Sequence, residues 1–262
     1  MTSQSEKARL LRSLYEPGNP LVVANVWDAV TARIVATAPG VTALATASYS
    51  ISSAHGVPDG EGLTVDQAIE AARMIIDAVD LPVSVDFERG YSATAEGVQA
   101  NVERLLSVGA VGINIEDSTG DASAPLFDRE IATSRVAAAF AAGDNVGVPI
   151  VINARVDALA LGGDWGEMLA RANLYLGAGA EAIFVLGLET EDDVRRAVAD
   201  IDGKVSVIGS AGYIPLRRLA ELGVARVSFG PRILGLTLAH LRAAATQLTA
   251  LGDYPAEFGF EY

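Results

Sequence analysis

Two carboxylates stand two residues apart at the end of an apolar run in the segment PVSVDFERGY (82–91). They are Asp86 and Glu88, and in a regular strand side chains at this spacing project to the same side. Glu116 ends a second apolar run in a similar way. Because carboxylates that lie close together repel each other and are costly to bury unpaired, they need a partner of opposite charge.

A hard divalent cation is one such partner. Ligand sets made of oxygen alone, without histidine or cysteine, are typical of Mg²⁺ and, as the alternative, Mn²⁺. The pattern therefore predicts a metal site held by Asp86, Glu88 and Glu116. A second interpretation stays open, in which the carboxylates form structural salt bridges with an arginine: Arg89, Arg104 or Arg155.

Other polar residues follow the remaining apolar runs. Arg155 suits a substrate carboxylate or a developing oxyanion, or alternatively pairs with Glu116 or Asp157. Ser48, with its neighbouring amides, is a candidate for holding a carboxylate oxygen, or is simply a turn residue. His55, in the segment SSAHGVPDGE, is either a substrate contact or acid/base group, or a solvated loop side chain.

The residues that are scarce or absent restrict the chemistry further. The 262 residues include no cysteine, which excludes disulfides, thiolate metal sites and cysteine nucleophiles. Lysine occurs only at Lys7, before the first apolar run, and at Lys204, at the opposite end of a run from the carboxylates. An imine-forming lysine is therefore not expected, whereas enolate chemistry stabilised by a metal remains.

An alternating series of apolar runs and amphipathic segments must position these residues. Eight runs have the length and composition of buried strands: 20–26, 41–48, 81–88, 111–117, 149–156, 180–187, 204–210 and 225–230. Segments with apolar residues at three- and four-residue spacing predict helices between and after them. These segments are 64–79, 94–110, 164–180, 191–201, 215–223 and 232–252.

The series predicts an α/β fold, a (β/α)8 TIM barrel in a single domain over residues 1–262. An open doubly wound sheet is the alternative, but no G-x-G-x-x-G follows the first strand. Functional residues of such barrels lie at the carboxyl ends of the strands. We therefore expect the carboxylates and Arg155 to face the mouth of the barrel.

Charge and hydropathy exclude several classes of partner. The chain has 33 acidic and 19 basic residues, and its net charge of −14 disfavours nucleic acid and anionic membranes. No apolar run reaches the roughly 18 residues of a membrane helix, and the N-terminus lacks the apolar core of a secretory signal. We expect a cytoplasmic protein that acts on a small molecule.

Seven motifs, in this order and spacing, resemble the isocitrate lyase/phosphoenolpyruvate mutase superfamily, especially its short, phosphonomutase-like members. They are NVWDAVTARIV, TASYSISSAHGVPDGE, PVSVDFERGY, GAVGINIEDS, INARVDAL with the following GGD, GAEAIFVLGL and ELGVARVSFGP. The resemblance implies a Mg²⁺-binding (β/α)8 barrel that forms a homotetramer, a dimer of dimers. It also implies that the last helix, here 232–252, swaps between subunits. The polar and aromatic residues that follow, 253–262, predict a tail.

The resemblance implies a metal site and assigns roles within it. Asp86 would be the principal metal carboxylate, and Glu88 and Glu116 would reach the ion directly or through water. Glu88 stands where many relatives carry aspartate, and its longer side chain suits a contact through water.

The resemblance also implies substrate contacts, with a small carboxylate as the ligand. Ser48 with Tyr49 would bind the substrate carboxylate, and Arg155 would steady the carboxylate or enolate oxygen. Asp59 would lie beside the substrate, and His55 would alter the pocket relative to close relatives. Arg155, Asp59 and Glu116 are thus the catalytic candidates.

One loop departs from the family pattern. Isocitrate and methylisocitrate lyases carry a cysteine-bearing loop after strand 4, and the phosphonate mutases carry one with lysine and asparagine. Here the loop reads STGDASAPLFDRE and has none of these residues. We predict a Mg²⁺-dependent lyase that cleaves a C–C bond in a small 2-oxo or 2-hydroxy carboxylate through a metal-stabilised enolate. The alternatives are a C–P bond enzyme of the phosphoenolpyruvate mutase or phosphonopyruvate hydrolase type, and a non-catalytic metabolite-binding relative.

Overall fold

The computed structural model describes residues 2–254. Within this range the chain forms nine strands, each parallel to its neighbours. They are β1 (Leu21–Val23), β2 (Asn25–Val26), β3 (Leu44–Thr46), β4 (Val83–Asp86), β5 (Gly112–Glu116), β6 (Val151–Val156), β7 (Ala182–Val185), β8 (Lys204–Ile208) and β9 (Arg226–Ser228).

The sheet closes on its first strand. Only Ala24 separates β1 from β2, so the two are halves of one predicted strand. β1 pairs with β9 and β2 pairs with β3, and the order β1-β9-β8-β7-β6-β5-β4-β3-β2 returns to the stretch of chain where it began. The eight predicted strands therefore form a closed barrel, and the predicted (β/α)8 fold is confirmed.

The described part of the chain contains ten helices. They are α1 (Gln4–Ser13), α2 (Ala29–Ala36), α3 (Ser48–Ala54), α4 (Val65–Asp77), α5 (Ala95–Ser107), α6 (Arg129–Val146), α7 (Trp165–Gly177), α8 (Glu191–Asp200), α9 (Leu216–Glu221) and α10 (Arg232–Thr249). All six predicted helices are present, whereas α1, α2, α3 and α6 were not predicted. None of the described helices is long and apolar enough to cross a bilayer.

Local sequence explains where several helices begin. Thr64, Thr94, Asp164 and Thr190 each accept a hydrogen bond from the backbone N–H three residues later, as N-cap residues do. Helix α6 was not predicted because alanine and glycine supply most of its buried residues. Small side chains let α6 pack closely but do not form a marked apolar stripe.

Polar side chains occupy the interior of the barrel near its mouth. Asn153 Nδ2 donates a hydrogen bond to Asn114 Oδ1 at 2.8 Å, across the neighbouring strands β6 and β5. The amide of Asn25 donates to the carbonyl of Thr46 at 2.8 Å and accepts from the N–H of Gly230 at 2.9 Å. These bonds join strands around the barrel and set the positions at which the strands end.

Helix α10 packs little against the rest of the described chain. Leu234 is its only buried residue, whereas Leu236, Leu238 and Leu241 are each more than half exposed. The predicted swapping of this helix stays a prediction. Of the predicted tail, residues 255–262 lie outside the described range.

Candidate active site

Asp86 is the last residue of β4, at the mouth of the barrel. Its Oδ2 accepts a hydrogen bond from the N–H of Ser48 at 3.0 Å, and its own N–H donates to Thr46 Oγ1 at 2.8 Å. Asn114 Nδ2 lies 3.5 Å from Oδ1. Neutral donors, the first N–H of α3 and the Asn114 amide on β5, therefore orient this carboxylate.

Glu88 does not continue the strand on which Asp86 lies. β4 ends at Asp86, and Glu88 has a φ of +47°, in the left-handed region. Its buried carboxylate accepts hydrogen bonds from the Tyr91 hydroxyl at 2.6 Å and from the N–H of Glu61. The prediction that Glu88 continues the strand is therefore wrong, and the turn after β4, not strand spacing, sets its position relative to Asp86.

Three residues with positive φ form one hydrogen-bonded cluster beside the site. Glu61, Glu88 and Tyr91 have φ values of +63°, +47° and +55°. Besides the bonds to Glu88, the N–H of Tyr91 donates to Glu61 Oε1 at 2.8 Å. A left-handed conformation costs about 1–3 kcal/mol for such residues and often marks a functional site. Here the hydrogen bonds among these three residues join the loop after α3 to the loop after β4.

Arg155 on β6 lies directly beside Glu116 on β5, as the strand register requires. Its Nη1 is 2.7 Å from Glu116 Oε2, and its Nε and Nη2 donate to the two carboxylate oxygens of Asp157 at 2.7 and 2.9 Å. The salt-bridge interpretation thus holds for Glu116. Arg104, another candidate partner, pairs with the exposed Asp66 instead.

This cluster shifts the protonation of Glu116. Burial raises the pKa of Glu116 to about 7. The positive charge of Arg155 lowers this pKa, and the negative charge of Asp157 raises it. Burial alone would lower the pKa of Arg155, but Glu116 and Asp157 outweigh it and raise the pKa above its ordinary value. The guanidinium therefore stays charged while Glu116 titrates near neutrality.

The Glu116 shift predicts that the metal-free protein loses stability as pH rises. Between pH 4.5 and about 7 the folded protein keeps a proton that the unfolded chain has released, so the free energy of unfolding falls across this window. We expect a loss on the order of 3 kcal/mol from this group. Urea unfolding in EDTA at pH 5 and pH 8 measures it, with Glu116→Gln as the control. An equal pH dependence in wild type and Glu116→Gln would contradict the assignment.

A buried network that includes two residues of α7 supports Asp157. Asp117 accepts hydrogen bonds from the N–H of Asp157 at 2.9 Å, the Tyr175 hydroxyl at 2.8 Å and Arg171 Nη1 at 3.2 Å. This network was not predicted. The sequence signal for it is the pair Glu116-Asp117 at the end of the run 111–117. Adjacent residues of a strand face opposite sides of the sheet, so only one of these two carboxylates could face the interior of the barrel.

A cavity of about 90 Å³ lies at the barrel mouth. It brings together five of the predicted site residues: Ser48, Tyr49, Asp59, Asp86 and Arg155. Glu88, Glu116 and His55 do not line it. Asn114 does, and prediction missed it. In GINIED it alternates with two isoleucines, a pattern that places it on the inner face together with Glu116.

Asp59 and His55 follow α3 in sequence but have different surroundings. Much of Asp59 is exposed, yet burial of its carboxyl group raises its pKa, with the Ser48 hydroxyl opposing the shift and Asp86 adding to it. His55 is exposed at the end of α3, where its Nδ1 lies 2.8 Å from the carbonyl oxygen of Ile51. The structure therefore brings Asp59 to the cavity but leaves His55 outside it.

The donor set suits a mostly hydrated Mg²⁺ better than a closed cage of ligands. Within residues 2–254 no group of three or more acidic or histidine side chains is gathered closely enough to hold an ion. Asp86, however, lies within electrostatic reach of Asp59, Glu88 and Glu116, and burial raises the pKa of each of these three. Mg²⁺ commonly binds through one or two carboxylates and keeps several waters. The residues present therefore fit that ion.

Comparisons with known proteins agree with this architecture. Residues 11–249 match the family model of phosphoenolpyruvate phosphomutase. An oxaloacetate decarboxylase from Rhodopseudomonas palustris is 30% identical over 88% of this chain and 83% of its own length.

Two solved structures resemble the whole barrel. One, from Burkholderia cenocepacia, is 38% identical, with a TM-score of 0.88 over 94% of this chain and 99% of that chain. A phosphonopyruvate hydrolase in complex with oxalate and Mg²⁺ is 25% identical, with a TM-score of 0.85 over 97% of this chain and 92% of that chain. With a closed barrel, a carboxylate-rich mouth and a family match over most of its length, the chain belongs to the isocitrate lyase/phosphoenolpyruvate mutase superfamily of lyases and mutases.

Proposed function

We propose that this protein is a Mg²⁺-dependent lyase that cleaves a C–C bond in a small 2-oxo or 2-hydroxy carboxylate. One observation carries the proposal: Asp86 borders a cavity of about 90 Å³ that Arg155 also lines. A cavity of this size suits a small molecule. The similarity to an oxaloacetate decarboxylase, whose name gives a four-carbon 2-oxo acid as its substrate, supports it.

Four carboxylates at the barrel mouth would position the metal ion. Asp86 would hold Mg²⁺, with Asp59, Glu88 and Glu116 reaching it through water. Bound Mg²⁺ supplies a Lewis acid that polarises the substrate oxygens and stabilises negative charge formed in the reaction.

Three further residues that line the cavity would orient the substrate. Ser48 and Tyr49 would bind the substrate carboxylate. Arg155 would face the oxygen on which negative charge develops, and its ion pairs with Glu116 and Asp157 would keep the guanidinium in one orientation. Such preorganisation is commonly worth several kcal/mol in comparable sites.

The charges near the cavity favour C–C over C–P chemistry. A phosphonyl group carries up to two negative charges, and its transfer needs cationic side chains to stabilise it. Arg155 is the only cation among the described residues that line this cavity and the adjoining space, and Glu116 and Asp157 already pair with it. Arg89 lines neither and lies 3.8 Å from Glu116. The loop that bears lysine in the mutases contributes none here.

A substrate panel tests the proposal. Oxaloacetate, 2-methylisocitrate, 2,3-dimethylmalate and phosphonopyruvate are offered with Mg²⁺ and with EDTA, and formation or loss of 2-oxo acid is followed. We expect Mg²⁺-dependent turnover of at least one C–C substrate, exceeding that of phosphonopyruvate. Faster turnover of phosphonopyruvate would instead establish the C–P alternative. Mg²⁺-dependent binding without any product would establish the non-catalytic one.

We also propose that α10 mediates a homotetramer by packing against a neighbouring subunit. The exposure of Leu236, Leu238 and Leu241 supports this, because apolar helix faces are normally covered. We expect light scattering after gel filtration to give about four times the monomer mass for the wild type. Leu241→Asp should give smaller species, whereas Leu174→Asp, at an exposed leucine of α7, should not. A stable wild-type monomer would contradict the proposal.

A further inference from the structure

The turn that follows β4 has a strained backbone. Three of its residues have φ values in the left-handed region, +47° at Glu88, +83° at Gly90 and +55° at Tyr91, and only the glycine adopts this conformation without cost. β4 ends at Asp86 and α5 begins at Ala95. The carbonyl groups between these two elements therefore need donors from elsewhere in the fold.

Asn101 on α5 supplies two of these donors. Its Nδ2 donates to the carbonyl oxygens of Gly90 and Tyr91, both at 3.0 Å. These are two of the left-handed residues of the turn. The half-buried Asn101 amide therefore holds the strained part of the backbone in place.

Arg135 on α6 supplies the other two. Its Nη2 donates to the carbonyl oxygens of Arg89 and Ser92, the latter at 2.8 Å. Arg135 is 2% exposed, burial lowers its pKa, and its Nε and Nη1 have no hydrogen-bond partner among the described residues. Because burying a guanidinium costs free energy, such a residue is expected only where its hydrogen bonds are needed. Here they go to the turn.

Arg135 is itself held by the loop that follows β5. Its guanidinium carbon lies 4.4 Å from the centre of the Phe127 ring, a cation–π contact. The N–H of Phe127 donates to the carbonyl of Asp117 at 3.0 Å, and its carbonyl accepts from Arg171 Nη2 at 2.8 Å. The turn after β4 is therefore attached to the buried network around Asp117.

Glu88 depends on this turn for its direction. Its carboxylate accepts from the Tyr91 hydroxyl at 2.6 Å, and the N–H of Tyr91 donates to Glu61, whose own N–H donates to Glu88. A shift of the backbone at Gly90 and Tyr91 therefore moves two of the groups that orient the Glu88 carboxylate.

We propose that Asn101 and Arg135 are positioning residues for the metal site. By holding the carbonyl groups of segment 89–92, they set how far the Glu88 carboxylate reaches toward an ion bound at Asp86. Neither side chain lines the cavity at the mouth, so both act through Glu88. The inference rests on the proposed function and deepens it, by naming residues outside the cavity that tune the Mg²⁺ affinity.

Mg²⁺ titration calorimetry on Asn101→Ala and Arg135→Met tests the proposal. Alanine and methionine favour helices, so α5 and α6 should persist, and methionine can keep an apolar contact with Phe127. We expect the Kd for Mg²⁺ to rise about tenfold or more in each variant, the size typical of lost partners of metal ligands.

Two matched variants remove the same chemical groups elsewhere. Asn145→Ala deletes an amide on α6 that donates to the exposed Glu103 at 2.9 Å. Arg196→Met deletes a guanidinium whose carbon lies 4.2 Å from the centre of the Trp165 ring. Both should keep the wild-type Kd for Mg²⁺.

A double-mutant cycle with Glu88→Gln distinguishes positioning from a general structural role. If Asn101 acts through Glu88, Asn101→Ala should change the Kd less than about twofold once Glu88 is glutamine. A general loosening of the fold would instead weaken Mg²⁺ binding equally in both backgrounds, and that result would overturn the proposal.

Amide hydrogen exchange in the metal-free protein gives a second measurement. The N–H of Gly90 bonds to the carbonyl of Phe87 at 2.8 Å, and the N–H of Tyr91 bonds to Glu61. We expect both to exchange about tenfold faster or more in Asn101→Ala, since their local opening becomes easier.

The outcomes separate the two proposals. A wild-type protein that binds Mg²⁺, with variants that bind it equally well, overturns the positioning role and leaves the proposed function standing. Faster exchange without a change in Kd does the same. A wild-type protein that binds no Mg²⁺ overturns the proposed function and the positioning role with it.

Discussion

Asp86→Asn is expected to lower kcat/KM of the Mg²⁺-dependent reaction by about 10³-fold, in the range seen when one key electrostatic group is removed from an active site. The amide keeps the size of the carboxylate and an oxygen that can accept from Ser48 N–H, so the fold should persist. It removes the negative charge on which Mg²⁺ binding depends. Steady-state kinetics across a Mg²⁺ titration measures both effects.

The control for this variant is Asp202→Asn. Asp202 is exposed on the surface between α8 and β8 and does not line the cavity at the mouth. The activity and the Mg²⁺ dependence of Asp202→Asn should therefore equal those of the wild type. If Asp86→Asn kept the wild-type Mg²⁺ affinity, Asp86 would not be the metal carboxylate. Mg²⁺ would then bind at Glu116 and its neighbouring carboxylates instead.

Asp117→Ala is expected to produce the largest loss of stability, about 3 kcal/mol or more in the free energy of unfolding. The change removes the acceptor of three hydrogen bonds and leaves the Arg171 guanidinium, whose side chain is 5% exposed, without one of its buried partners. Arg171 also pairs with Glu167 at 2.7 Å, so the loss should lie near the lower end of the range for broken buried ion pairs.

Urea unfolding at pH 7 measures this effect, with Asp202→Ala as the exposed control. A loss below about 1 kcal/mol, the size typical of a surface pair, would show that the network contributes little. Asp157, whose N–H bonds to Asp117, also pairs with Arg155. We therefore expect any Asp117→Ala protein that folds to have reduced activity as well.

The barrel itself could be predicted from sequence because its signals are local. A run of four to eight apolar residues is typical of a strand buried on both faces. Its alternation with helical segments, repeated eight times, favours a parallel sheet covered by helices. The ends of the strands then place Asp86, Glu116 and Arg155 at the mouth. Helix α6 was missed because its alanine-rich face lacks the contrast between apolar and polar sides on which the pattern depends.

Sequence by itself thus determined the fold, the end of the barrel that carries the chemistry and the types of residue present there. Tertiary structure alone decided what these residues contact. Glu88 leaves the strand in a left-handed turn and bonds to Tyr91 and Glu61, while the β5–β6 register sets Arg155 against Glu116. The physical reason is that the spacing of apolar residues indicates which positions are buried, and this can be read from each segment alone. Hydrogen bonds and ion pairs depend on distances of about 3 Å between segments far apart in the chain.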